Sequence, residues 1–104
     1  MSKYVLTYHM PTGYVPNRDA QSIDAWQSFF RGIGDHLVEL GQPVIDRRTL
    51  GEAGSAMQLQ GYSIIDASDF ESAIALANDC PTLSLGGGVQ VGELGEVPAA
   101  ARTA

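Results

Sequence analysis

From Lys3 to Met10 apolar and polar positions alternate, with Tyr4, Leu6, Tyr8 and Met10 on one side and Val5, Thr7 and His9 on the other. Period two with β-branched and aromatic residues predicts a strand, which Pro11-Thr12-Gly13 stops. The period then changes. Ile23, Trp26, Phe30, Ile33, Leu37 and Leu40 are spaced by three or four, which predicts one long amphipathic helix. Asp19 or Ser22 can cap its start, and Gly41 ahead of Pro43 is the expected end. Gly32 and Gly34 lie inside this span and each costs about 1 kcal/mol relative to alanine. They read either as tolerated weakness or as the mark of a close backbone approach.

Val44 to Leu50 reads as a second strand, residues 51–56 as a turn, and Met57 to Asp66 as a third strand in hairpin with the second. Ser68-Asp69-Phe70-Glu71 has the form of a capping box. The helix it opens carries Phe70, Ala73, Ile74 and Ala77 as its stripe and stops near Asp79, ahead of Pro81. Gly86-Gly87-Gly88 leads into a last strand around Val89 to Val91. The order β-α-β-β-α-β predicts an α+β fold of the ferredoxin-like kind, a four-stranded antiparallel sheet with both helices on one face. With 104 residues there is room for one domain, placed over residues 1–94, and 95–104 read as a flexible C-terminal tail.

Two helices cover one face of such a sheet, yet apolar residues occur on both sides of the first and third strands. A second subunit is the economical cover for the other face, which predicts a homodimer closed as a dimeric α/β barrel. Charge changes the list of further partners. Twelve carboxylates against six basic side chains give a formal charge of −6, which disfavours nucleic acid and anionic membranes. No run approaches the length of a membrane span and the first ten residues alternate, so a cytoplasmic location is expected. The lone Cys80 has neither a disulfide partner nor zinc-ligand spacing, and it reads as structural.

The triple glycine is followed by a strand where phosphate-cradling motifs require a helix, so it reads as a loop. Neither the Gly-x-Ser-x-Gly elbow nor the His-Glu-x-x-His zinc motif is present, and no metal or cofactor is expected. Imidazole chemistry falls to His9, which ends the first strand beside a loop, or to His36, on the helix edge shared with Phe29. Either is otherwise a structural or exposed side chain. Trp26 lies in the helix stripe, as core or as the wall of a ligand pocket. Arg47 and Arg48 fall on opposite faces of the second strand, so one of them can reach a cavity and hold a carboxylate.

Trp26-Gln27-Ser28-Phe29-Phe30, Gly34-Asp35-His36-Leu37-Val38, Gly41-Gln42-Pro43-Val44, Gly61-Tyr62-Ser63-Ile64-Ile65 and Cys80-Pro81 before Gly87-Gly88-Val89-Gln90-Val91 together resemble the YCII-related proteins. The resemblance runs from Tyr4 to about Glu93 and implies a dimeric α/β barrel of this element order. In some members a helical histidine and a nearby aspartate are a proposed catalytic pair, and one relative eliminates chloride from a muconate-type acid. That histidine is matched here by Phe30. Tyr8-His9 is similar to the aromatic-histidine end of strand one in a subset of the family, and Arg48-Thr49 to a basic-Thr pair in its second strand. The leading expectation is a protein that binds a small, partly apolar organic acid in a barrel pocket, with Trp26, Arg48 and His36 as ligand contacts. A cofactor-free lyase or isomerase using His9 as general base, and a dimeric interaction module with a filled barrel, are the alternatives.

Overall fold

The computed structural model describes residues 1–54 and 56–102, and its first strand, β1 (Ser2–Pro11), keeps the alternation of the sequence. Tyr4, Leu6, Tyr8 and Met10 are buried, while Val5, Thr7 and His9 are half-buried on the opposite face. β1 is central. It pairs antiparallel with β3 (Met57–Ala67) on one side and β4 (Gly88–Glu93) on the other, and β2 (Leu37–Glu39) closes the far side of β3. The result is an α+β fold with a four-stranded antiparallel sheet of order β2-β3-β1-β4, compatible with the ferredoxin-like arrangement.

Helix α1 (Ala20–Ile33) begins at Asp19, whose carboxylate accepts the Ser22 backbone N–H at 2.8 Å. It ends at Ile33, eight residues before Gly41, which corrects the long-helix expectation. Gly34 takes a positive φ of 59° and donates its N–H to the Phe30 carbonyl, so the left-handed residue that terminates the helix is Gly34. A 3₁₀ turn over Gly34–His36 then feeds β2. Phe29 and Ile33 form the buried line of α1, while Trp26 and Phe30 stand half-buried at its edge. The packed face is therefore rotated from the stripe read in the sequence.

The second strand is also corrected. Val44 to Leu50 is irregular, and β2 occupies Leu37–Glu39. Beyond β2 the chain continues along β3 as a loose extension: Gln42 accepts the Tyr62 N–H, the Val44 N–H donates to Gln60, and Pro43 bridges Gly61. Gly41 is needed for this approach, because a methyl group there would overlap the Tyr62 carbonyl oxygen. The 51–56 turn includes Ser55, which lies outside the described residues.

Helix α2 (Phe70–Ala77) is capped by Asp69, which accepts from the Ser72 N–H at 2.8 Å, one residue later than the expected Ser68 box. Its Ala73 and Ala77 are buried, whereas Phe70 and Ile74 are 41% and 51% exposed. A short helix, α3 (Pro81–Ser84), starts with proline in its first turn. The segment after β4 includes one helical turn, α4 (Ala99–Arg102); Thr103 and Ala104 lie outside the described residues. Among the described residues, no helix is long and apolar enough to cross a membrane.

Candidate functional site

On the helix side of the sheet, where β1 runs out, the layers leave a groove of about 740 Å³. Its floor is Tyr8 and Met10 of β1, one wall is the Trp26 and Phe30 edge of α1, and the other is the Leu40–Pro43 segment. The rotation of α1 that buries Phe29 leaves those two aromatics facing the gap. Tyr8 meets Trp26 edge-on at 4.9 Å between ring centroids, and Trp26 lies 5.8 Å from Phe30. Such contacts favour well-defined ring orientations.

The floor is fixed by a short hydrogen-bond chain. The Tyr8 hydroxyl donates to Ser63 Oγ at 2.7 Å, and Ser63 Oγ donates to the Leu40 carbonyl at 2.6 Å. β1, β3 and the far wall are thereby tied at one point. Burial is the main reason the Tyr8 phenol is pushed up to about 12, with the Ser63 bond opposing it, so it stays protonated at physiological pH. Nearby Cys80 is also buried, and burial pushes its thiol up. Its sulfur sits 3.1 Å from Thr82 Oγ1. A protonated, packed thiol is a poor nucleophile, which matches the structural reading of Cys80.

Among the described residues that line the groove, Arg18 is the sole cation and Asp19 the sole acid. Asp19 is engaged as the α1 cap and also accepts from the Asn17 side-chain amide. Hydrogen bonds from Ser22 hold its carboxyl below the usual range. Arg18 is exposed at the mouth, on the loop between β1 and α1. The groove therefore offers aromatic walls, a neutral phenol at the floor and one guanidinium at the rim. This suits an apolar body that ends in an anion.

Of the residues singled out in the sequence, only Trp26 lines this groove. His9 projects from the opposite face of the sheet, Nε2 lying 2.9 Å from Thr7 Oγ1, across from Leu59 and Gly88. His36 pairs through Nδ1 with Asp66 Oδ1 at 3.1 Å, at the end of the sheet where β1 begins. Arg48 is 81% exposed and pairs with Asp46 at 2.7 Å. It is Arg47 that turns inward: its guanidinium donates to the Leu59 and Val44 carbonyls and to Gln60 Oε1, clamping the irregular 44–50 segment onto β3. His9, His36, Arg48 and Trp26 are thus not brought together within one chain. Arg18, Phe30 and the Tyr8 hydroxyl are the groove residues sequence reasoning missed as ligand contacts. The signal for Phe30 was its i+4 spacing from Trp26; Arg18, in a loop, gave none. Among the described residues, no group of three or more His, Cys, Asp or Glu side chains is placed to hold a metal. Compared with known proteins, the chain matches no family model and no curated protein.

Proposed function

We propose that the chain is a YCII-related domain that works as a homodimer and binds a small, partly apolar organic acid in the helix-side groove. The observation that carries the ligand reading is the groove itself: about 740 Å³ walled by Trp26 and Phe30, floored by Tyr8, with Arg18 at its mouth. An aromatic or branched carboxylate would place its body between the rings and its carboxylate at the guanidinium. The dimer reading rests on the sheet face that no helix covers, where Val5, Tyr62 and Ile64 are half-buried and Leu59 is exposed. Two such faces stacked about a twofold axis make a dimeric α/β barrel. His9 enters this reading only through the dimer, since it stands on the face a second subunit would cover.

Trp26 is the only tryptophan, so intrinsic fluorescence reports on the groove wall alone. Titration with phenylacetate is expected to give a saturable change, and phenylacetamide a weaker one. A hydrogen bond to a charged group contributes about 1.5–3 kcal/mol, so the preference should be roughly tenfold or more. Arg18→Gln should remove that preference while leaving the melting temperature unchanged. Equal response to acid and amide in the native chain, or none to either at millimolar concentration, would overturn the assignment.

A further inference from the structure

β4 is an edge strand of six residues whose one charge, Glu93, stands at its end. It carries no lysine, no proline and no bulge against β1, whereas β2, the opposite edge, is only three residues long. The bond from the Leu94 N–H to the Lys3 carbonyl sets the pairing parity. Gly88, Gln90 and Gly92 turn their backbone groups toward β1, so those of Val89, Val91 and Glu93 point outward.

Beside this edge, on the helix side, lies a second groove of about 400 Å³. Its apolar lining is the uncovered part of α2, Phe70 and Ile74, with Leu83 of α3, 45% exposed, and the Val89 and Val91 side chains. The charges around it are of one sign. Between Arg48 and Arg102 the sequence has no lysine or arginine, while Asp69, Glu71, Asp79 and Glu93 flank the elements of the groove. Glu93 is held at one end, accepting from the Tyr4 hydroxyl at 3.3 Å, and Tyr4 stacks edge-on against Phe70. Lys3, the nearest cation in the sheet, belongs to the alternate set of β1 residues that face the other side.

We infer that the β4 edge is a docking site for an extended segment of a partner protein, in which apolar residues alternate and lysine or arginine flank them. The segment adds a fifth strand by bonding to the outward backbone groups of Val89, Val91 and Glu93. Its alternate side chains then lie over Phe70, Ile74 and Leu83, and its cations meet Glu93, Asp69 and Glu71. A second copy of this chain is the poorer occupant, because pairing two β4 edges would bring two sets of the same carboxylates together. The chain's own tail forms α4 instead of a strand.

The test uses a fluorescein-labelled peptide, acetyl-Lys-Thr-Val-Thr-Val-Thr-Lys-amide, and fluorescence anisotropy. Saturable binding is expected that weakens as salt rises. At least tenfold loss should follow from exchanging the lysines for glutamates, from N-methylating the peptide backbone, and from Ile74→Asp. Val91→Pro removes an outward N–H that β1 does not use, so it should abolish binding while the far-UV circular dichroism stays native. If that variant unfolds, the N-methylated peptide interrogates the same bonds from the other side. Absence of saturable binding, equal binding of the glutamate peptide, or indifference to N-methylation would overturn the proposal. So would a halved mass of Val91→Pro in light scattering, which would assign the edge to a second copy.

Discussion

Tyr8 joins packing, hydrogen bonding and ionisation in one side chain. Its phenol is raised by burial to about 12, against 10.0 for the free group. Between those values the unfolded chain has lost a proton that the folded chain keeps, so stability is complete below pH 10 and falls as pH rises toward 12. At about 1.4 kcal/mol per unit, the loss is on the order of 3 kcal/mol. Tyr8→Phe should cost about 1 kcal/mol at neutral pH, through the lost Ser63 bond, and flatten this alkaline limb. Melting temperatures of both proteins from pH 9 to 12 check this; parallel limbs would mean that other tyrosines carry the effect. At Gly87 a methyl group would overlap the His9 carbonyl oxygen and the Met10 sulfur, so Gly87→Ala should destabilise by about 3 kcal/mol or more in chemical denaturation. At this scale the sequence was legible where period two applied: Tyr4, Leu6, Tyr8 and Met10 are buried as read. It was not legible for Arg47 against Arg48, because Arg47 is turned inward by the Leu59 carbonyl and the Gln60 side chain of β3, which is remote in sequence.

Along α1 the sequence pattern and the chain's path part company at Gly34. Leu37 continues the three-and-four spacing of the helix, and it is equally an inward position of β2, paired with Ile65 and packed against the core. Periodicity alone could not separate these, and Gly41-Gln42-Pro43 offered a second plausible stop. The glycines decide it. Gly34 has positive φ and open space around its missing side chain, so Gly34→Ala carries a backbone cost of about 1 kcal/mol or more. Gly32 has open space and no positive φ, which settles it as tolerated weakness within the helix. Gly32→Ala should therefore stabilise by about 0.5–1 kcal/mol. Opposite shifts in denaturation midpoint are expected for the two alanine variants; shifts of one sign would place the helix end elsewhere. The same relocation explains the missed second strand. Val44 to Leu50 is rich in strand-forming residues, but Leu37–Glu39 and the 42–44 extension already occupy the β3 edge, leaving Ile45 and Leu50 exposed.

For the molecule as a whole, every large buried side chain lies on the helix side of the sheet, and the other side is left with Val5, Thr7, His9, Tyr62 and Ile64 in partial contact with solvent. The irregular register between β1 and β3 at Tyr8 and His9 adds Leu59 to this face, since Leu59 stands opposite His9. Without that shift Leu59 would point inward with Ser63 and Ile65, as its parity in the sequence implies. The bulge thus enlarges the apolar part of the open face and places it around the imidazole. The Leu94 N–H donates to the Lys3 carbonyl, and the described residues beyond it belong to no strand, so truncation after Leu94 should leave both the melting temperature and the number of chains in the assembly unchanged. A face-to-face dimer of standard size would bury about 1,600 Å² in total, and this face would supply it without using the β4 edge. Light scattering at micromolar concentration is then expected to give twice the chain mass. Ile64→Asp should give a monomer with native far-UV circular dichroism, because Ile64 is half-buried on the open face, outside the buried core, and its register partners are Val5 of β1 and Glu39 of β2. Val91→Pro, at the edge, should leave the dimer intact. A native chain that is monomeric throughout this range would remove the barrel and, with it, any enclosed role for His9, while leaving the helix-side groove and its acid ligand to be judged on Trp26 fluorescence alone.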